Sequence, residues 1–592
     1  MSQVKGIPYG ISDFNRIRNG NFYFVDKTMY LPLIEKMPSY LFLIRPRRFG
    51  KSVFLSMMRT YYDILRQDDF DAYFGDLWIG THPTGERNKY QVLYFDFSKA
   101  GCSMPGADLM TSFNDYCSLI INQFAHVYAA FYDADFKETV KNIESAKSKL
   151  AYIEIKAKEK GYPLYLIIDE YDNFTNVILS EHGQQMFHDL THASGFYREY
   201  FKQFKGMFDR IFMMGVSPVT LDDLSSGYNI DWNISVDPRF NAMMGFDETE
   251  VREMFYYYQQ NDMLNGDVEA MIAEMKPWYD NYCFARKSLD DDRVFNCDMT
   301  LYYLRWQVDF HRAPEEMVDK NIRTDYSKLK MLARIDRDSV QEGDRMSTIE
   351  KIAAEGDIFV DLHTSFPAER ITDIDNFRSL LYYYGLLTMC GTRGDLIKMS
   401  IPNNCVREQY FGFLRDYYQK YSSIDLHYLN VMLTDMAYDG RWKPFFESVA
   451  QAYRENSAVR DAMEGERNLQ GFLKAYLALA SYYLVEPELE MNYGYCDFFL
   501  LPDKKRYPDV KHSYILELKY ATRTATDAEL EVQALEGRNQ LLQYSEDKIV
   551  RCLSEGTTLH RFLLQFRCWG WFFWCSLWEG WRMGPYRFLW IT

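Results

Sequence analysis

The chain has 592 residues, of which 47% are apolar, 26% charged and 17% aromatic; this is a folded chain too long for one hydrophobic core, with roughly two to four domains. A formal net charge of -17 excludes a protein that coats nucleic acid through bulk charge, while leaving room for a locally basic cleft. Ten cysteines without a C-x-x-C pair, no apolar segment in Met1–Gly10 and no long uninterrupted apolar run argue against a zinc ribbon, a disulfide framework, a secretory signal and a membrane span, so a cytoplasmic protein with no membrane partner is expected.

Residues 6–35 form a lead-in. Gly10, Asp13 and Gly20 punctuate turns, and Phe22-Tyr23-Phe24-Val25 reads as a short strand before Asp26-Lys27-Thr28. Such a segment can form part of a base pocket. Tyr40–Ile44 reads as a buried strand and Val53–Arg66 as a helix. Between them, Arg45-Pro46-Arg47-Arg48-Phe49-Gly50-Lys51-Ser52 departs from G-x-x-x-x-G-K-[ST] only where Arg45 stands for the first Gly. Strand, tight loop, Gly-Lys-Ser and helix make the context of a phosphate-binding loop. Backbone N–H groups at the helix start face phosphate, Lys51 reaches the β/γ oxygens and the Ser52 hydroxyl sits on Mg2+. Arg47, Arg48, Phe49, Gly50, Lys51 and Ser52 are the expected nucleotide contacts. The competing reading is a basic turn capping a helix.

Farther along come a strand at Val92–Phe97, a helix near 107–132 and a charged helix near 138–160. Leu164–Ile168 is an apolar run that ends in Asp169-Glu170-Tyr171-Asp172. A buried parallel strand reads this way, and its C-terminal end is where an open α/β sheet places ligand chemistry. Asp169 is expected to hold Mg2+ through water and Glu170 to polarise an attacking water. His188 and His192 read as an ordinary pair rather than metal ligands. Arg210–Val216 is a further strand, and Ser217 at its end is read equally as a γ-phosphate contact or a strand cap. Strands alternating with helices argue for a parallel α/β sheet. From Gly245 the pattern turns helical to about residue 345, which fits a lid. Residues 373–415 read as helix, strand, turn, strand, a winged-helix-like linker.

Residues 447–483 read as mostly helix. Val485–Met491, Cys496–Leu501 and Ser513–Lys519 read as strands. Strand alternation puts Glu517 and Lys519 on one face, and a hairpin can bring Asp497 beside Glu517. Asp497 and Glu517 can hold Mg2+, which lowers the pKa of bound water and polarises a phosphodiester, while Lys519 orients the water or offsets developing charge. Lys504, Lys505, Arg506, Lys511 and Arg523 are expected to add local positive potential. The bland alternative is an amphipathic hairpin with a solvated Glu–Lys face.

Further stretches carry a resemblance: Gly6-Ile7-Pro8-Tyr9-Gly10-Ile11, Phe24-Val25-Asp26-Lys27-Thr28, Gly215-Val216-Ser217-Pro218-Val219, Gly245-Phe246, Trp278-Tyr279-Asp280-Asn281-Tyr282, Gly494-Tyr495-Cys496-Asp497 and Gln540-Leu541-Leu542-Gln543-Tyr544. With the loop at 45–52, the acids at 169–172 and Ile515–Lys519, the whole chain resembles the bacterial AAA-ATPase-like proteins that carry a C-terminal PD-(D/E)XK nuclease-superfamily domain. Arg45 for glycine looks like this family's own variant. The resemblance implies an α/β multidomain protein: an AAA-like P-loop ATPase domain at 1–245, a helical lid at 246–345, a winged-helix-like linking region at 346–445 and a restriction-endonuclease-like domain at 446–592. It implies ATP and Mg2+ as cofactors, catalytic roles for Glu170, Asp497, Glu517 and Lys519, and supporting roles for Gln540 and Tyr544. Glu488 is a further acidic candidate. Nucleic acid, DNA in the first instance, is the implied partner, and homo-oligomerisation stays open. The alternative is an ATP-dependent switch whose C-terminal domain binds nucleic acid or protein without cutting. From Arg567 the Trp-rich tail departs from the family's usual ending and reads as a divergent last strand or a frame change.

Overall fold

The computed structural model describes residues 3–100, 109–174, 196–218, 232–291, 293–319, 329, 341–367, 370–371, 373–419, 425–455, 466–479, 482–491, 494–504, 506–521, 524–569 and 572–576. His188, His192, Lys505 and Arg523 lie outside them, and of Glu488 only the backbone is described. The chain divides into two compact units. The first comprises Met1–Asp319 and Phe359–Asn404, the second Lys320–Ile358 and Cys405–Thr592. Segment 320–358 therefore belongs to the second unit although it interrupts the first in sequence. No described helix is long and apolar enough to cross a membrane.

The first unit is built on a five-stranded sheet: β1 (Tyr40–Ile44), β2 (Gln91–Asp96), β3 (Leu164–Asp169), β4 (Arg210–Gly215) and β5 (Trp232–Asn233), in the order β2-β3-β4-β1-β5. Every pairing is parallel. Parallel strands need crossovers, which cover both faces of the sheet, and so β1 and β3 are buried along their whole length. Helix α1 (Lys51–Tyr62) follows β1 directly. It stops four residues before the expected end because Asp63 turns extended and its carboxylate accepts the N–H of Leu65. Helix α2 (Leu109–Val127) and helix α3 (Ala146–Lys160) lead into β3. The single charged helix expected near 138–160 is two helices, broken where Ser145 caps α3.

Beyond the sheet come α4 (Glu248–Gln260), α5 (Val268–Tyr279) and α6 (Cys297–Phe310). Helix α4 opens with a reciprocal capping box between Asp247 and Glu250, the local signal that ends the α/β pattern. Helix Ile374–Tyr383 and the antiparallel hairpin of β6 (Thr388–Arg393) and β7 (Leu396–Ser400) also belong to this unit.

In the second unit, helix α7 (Glu466–Leu477) precedes β8 (Tyr483–Met491), β9 (Gly494–Pro502) and β10 (His512–Ala521). Helix α8 (Asp527–Glu546) crosses over to β11 (Thr558–Trp569), and β12 (Phe572–Ser576) closes the sheet. The order is β12-β11-β10-β9-β8. Only β10 and β11 are parallel, which is why a helix rather than a turn joins them. Phe499, Ile515, Leu541, Tyr544, Val550 and Leu563 form the core between α8 and the sheet. The Trp-rich tail supplies β12, which pairs antiparallel with the end of β11.

Candidate functional site

The loop leaving β1 turns through left-handed backbone at Arg48 and Gly50, with φ of 68° and 83°. Gly50 occupies the N-cap of α1, so the free N–H groups of that helix open onto the loop. The Lys51 ammonium lies 2.9 Å from the carbonyl of Pro46 and 3.2 Å from that of Arg45. Burial pushes its pKa down, and Glu170, Asp169 and Asp172 oppose that shift. The Ser52 hydroxyl donates to Asp169 Oδ2 at 2.6 Å, and the Tyr94 hydroxyl donates to the same oxygen at 3.3 Å. Asp169 is only 3% exposed, its pKa raised chiefly by burial. Its Oδ1 is buried without a hydrogen-bond partner among the described residues. A hydroxyl beside a carboxylate with a spare oxygen is a donor set that fits Mg2+, a hard cation that keeps much of its water.

Arg47, Arg48, Phe49, Gly50, Lys51, Ser52 and Glu170 all line one cavity of about 400 Å³. Pro8, Tyr23, Phe24 and Val25 contribute its apolar wall, so the lead-in does reach the pocket as its sequence allows. Lys27 fastens it there, pairing with Glu250 of α4 at 2.6 Å and donating to Ala242 O at 2.9 Å. Glu170 sits at the cavity with a left-handed φ of 51°. Ser217 does not stand on the cavity wall: it is fully buried, and its N–H donates to Asp172 at 2.8 Å. Asp172 also accepts from Val216 N at 3.0 Å, stapling the ends of β3 and β4.

Three large side chains of the loop are anchored by partners from later in the chain, and of these only Arg45 stays off the cavity wall. Arg48 pairs with Asp298 of α6 at 3.2 Å. The Phe49 ring meets Tyr282 edge-on at 4.8 Å. Arg45, fully buried, donates to the carbonyls of Ile44, Ser235 and Phe240 at 2.7–2.9 Å and stacks on Phe284 at 4.3 Å. Burial lowers its pKa to about 10. Arg45 is not among the positive-φ residues, so nothing in the backbone calls for glycine there. Arg45→Gly, which reinstates the motif glycine, is expected to destabilise by on the order of 3 kcal/mol, since three carbonyls lose the guanidinium that donates to them and a buried side chain is emptied. Urea denaturation checks this, and an unchanged midpoint would refute it.

Asp280, in the Trp278–Tyr282 stretch, is 2% exposed, and its Oδ1 has no hydrogen-bond partner among the described residues. Burial raises its pKa to about 6 from the usual 3.8. The folded state thus holds this proton more tightly than the unfolded chain. Stability falls as pH rises between those two values, and the penalty persists above them. Asp280→Asn is expected to stabilise by about 2–3 kcal/mol at pH 8, an advantage that fades below about pH 4. Denaturation midpoints across that pH range test it; an Asn variant less stable at pH 8 contradicts it.

The second unit brings together the three residues read from its sequence. Phe498 pairs with Leu516 in the β9–β10 register, and one step on Asp497 comes level with Glu517. Asp497 Oδ2 accepts from Leu518 N at 2.7 Å, and Lys519 Nζ lies 2.9 Å from Glu517 Oε1. Glu517 is 3% exposed. Sequence reasoning missed Gln470 of α7, whose amide donates to Asp497 Oδ1 at 2.9 Å; a partner 27 residues away leaves no local signal. Among the described residues no group of three or more His, Cys, Asp or Glu forms a metal cage. Two carboxylates plus water nevertheless suit Mg2+. The basic loop corrects an expectation. Lys504, Arg506 and Lys511 join the end of β9 to the start of β10, roughly 20 Å along the strands from Asp497 and Lys519. They lie at the wrong end of the sheet to act on that site.

Residues 8–225 match the family model described as "Predicted AAA-ATPase", and residues 464–572 match that of the PD-(D/E)XK nuclease superfamily. The chain carries an AAA-ATPase-like domain and a PD-(D/E)XK nuclease-superfamily domain. An uncharacterized protein from the vnfD 5′ region of Azotobacter chroococcum mcd 1 is 29% identical over 294 residues, 47% of this chain and 48% of that protein. The chain therefore spans about half the length of the curated relative it matches. Among solved structures, the Aeropyrum pernix ORC1 protein in complex with DNA is 9% identical, covering 66% of this chain and 92% of its own, with a TM-score of 0.25. The ORC2 protein of the same organism, in ADPNP–ADP complexes, is 10% identical over 66% of this chain and 93% of its own, with a TM-score of 0.31. Both likenesses are weak. The α/β assignment of the AAA-ATPase-like domain rests on its own parallel strand order.

Proposed function

We propose that this protein binds and hydrolyses ATP in its first unit and cleaves phosphodiester bonds of nucleic acid, DNA foremost, in its second. The observation that carries the reading is the meeting of Asp497, Glu517 and Lys519 on adjacent strands, since a domain that only bound nucleic acid would have no chemical need for all three. The hydrogen bond from Ser52 to Asp169 and the cavity over Lys51 support the nucleotide half. Mg2+, when bound, would supply an acidified water and a polarised phosphoryl oxygen at each site. Ser52 and Asp169 would hold it at one, Asp497 and Glu517 at the other. Glu170 orients the attacking water on ATP, Lys51 and Arg47 meet the phosphates, and Lys519 offsets charge on the phosphodiester. The nucleotide state then sets the activity of the second unit, a coupling favoured by a chain that passes between the units three times.

The test is cleavage of labelled single- and double-stranded DNA and RNA with Mg2+, with and without ATP. ATP-sensitive cleavage supports the proposal and names the substrate. ATP hydrolysis without any cleavage would instead favour a nucleotide switch whose second unit binds without cutting.

A further inference from the structure

The helix that crosses the carboxylate site carries more than the family resemblance assigns to it. Helix α8 lies directly on the Glu517–Lys519 pair through Gly537. A Cβ placed at Gly537 would stand 2.6 Å from Leu563 Cδ1, 3.4 Å from Lys519 Cε and 3.6 Å from Glu517 Cγ. Glycine weakens a helix interior, and here its missing side chain lets the helix approach the two functional side chains.

Helical spacing places Gln533 and Gln540 one turn to either side of Gly537 on the same edge. The direction of α8 sets which end of the site each one faces. Gln565, level with Lys519 in the β10–β11 register, donates to Leu530 O at 2.9 Å. Leu541 and Tyr544 share the core cluster of Ile515. The first half of α8 therefore lies over Lys519, the second half over residues nearer Ile515. Gln533, between Leu530 and Gly537, sits at the Lys519 end. The side-chain oxygens of both Gln533 and Gln540 are buried without a hydrogen-bond partner among the described residues.

Two buried acceptors lacking donors among the described residues, one turn to either side of the glycine that sits on Glu517 and Lys519, ask for a ligand that presents donors. The outer surface of a hydrated divalent cation is made of water hydrogens. We infer that Gln533 is a positioning residue for the cation of the Asp497–Glu517 site, accepting a hydrogen bond from its hydration shell. This rests on the metal-dependent nuclease reading above. Gln540 is already implied by the resemblance; Gln533 is not.

Calorimetric titration of Mn2+ into the full chain without nucleotide or nucleic acid tests it. The binding component lost in Asp497→Asn reports this site. Gln533→Leu is expected to weaken that component about 10-fold or more, the usual effect of losing an outer-shell partner. Gln533→Glu, which keeps an acceptor and adds charge, is expected to tighten it. If Gln533→Leu proves unstable to heat, the Glu variant decides. An Asp497-dependent component unaltered by either variant overturns the role of Gln533 and leaves the nuclease reading standing. Absence of any Asp497-dependent component in the wild type overturns both.

Discussion

Lys51→Ala is expected to lose nucleotide binding altogether on the scale of an ordinary titration. Its ammonium already rests on the loop carbonyls of Arg45 and Pro46, within the turn that would wrap the phosphates. Each charge-assisted hydrogen bond from the ammonium to a phosphate oxygen is worth about 1.5–3 kcal/mol, so losing two such bonds weakens binding by roughly two to four orders of magnitude. The fold should survive. Burial depresses the Lys51 pKa, which means the charge is held there against a desolvation penalty, and removing it relieves that penalty as two carbonyls lose their donor. Binding of a fluorescent ATP analogue, read beside a thermal melt, separates the two effects. Undiminished affinity in a folded Lys51→Ala protein would defeat the phosphate-loop assignment.

The second large effect is expected at Lys519. Lys519→Ala should reduce cleavage by about 100-fold or more, the loss typical when one preorganised charge-stabilising group is removed. It should not reduce metal affinity, because Glu517 Oε1 is released from its 2.9 Å contact with Lys519. Glu517→Gln should reduce both. That split between cleavage and Mn2+ binding distinguishes a charge-stabilising lysine from one that merely holds the fold. Equal cleavage by wild type, Lys519→Ala and Glu517→Gln would mean that the activity comes from elsewhere. Lys51→Ala in the same assay reports coupling: unaltered cleavage, with ATP making no difference, would leave the two units working independently.

Much of both candidate sites was legible in the sequence because their signals are short-ranged. Gly50-Lys51-Ser52 takes its meaning from a strand and a helix that touch it on either side. Asp169 and Glu170 sit at the end of an apolar run, and the shared face of Glu517 and Lys519 follows from strand parity alone. The placement of Asp497 also came through, because the β9–β10 connection is short enough for antiparallel pairing to be the simple outcome.

What escaped the sequence depends on groups brought together from distant positions. Arg45 reads as a flaw in a motif until Ser235, Phe240 and Phe284 surround it. Ser217 reads equally as a phosphate contact or a strand cap, and the bond from its N–H to Asp172 comes from a residue 45 positions away. Lys504, Arg506 and Lys511 look adjacent to the carboxylates along the chain, yet strand direction carries them to the far end of the sheet. Gln470 and Gly537 announce nothing in their own neighbourhoods, since one is defined by Asp497 and the other by the side chains beneath it. Sequence by itself determined the candidate groups and their local geometry, because turn residues and periodicity act over a few positions. Only the tertiary structure decided which loop side chains turn inward, which charges reach a site and how segment 320–358 is shared out, because packing and strand order are settled between residues far apart in the chain.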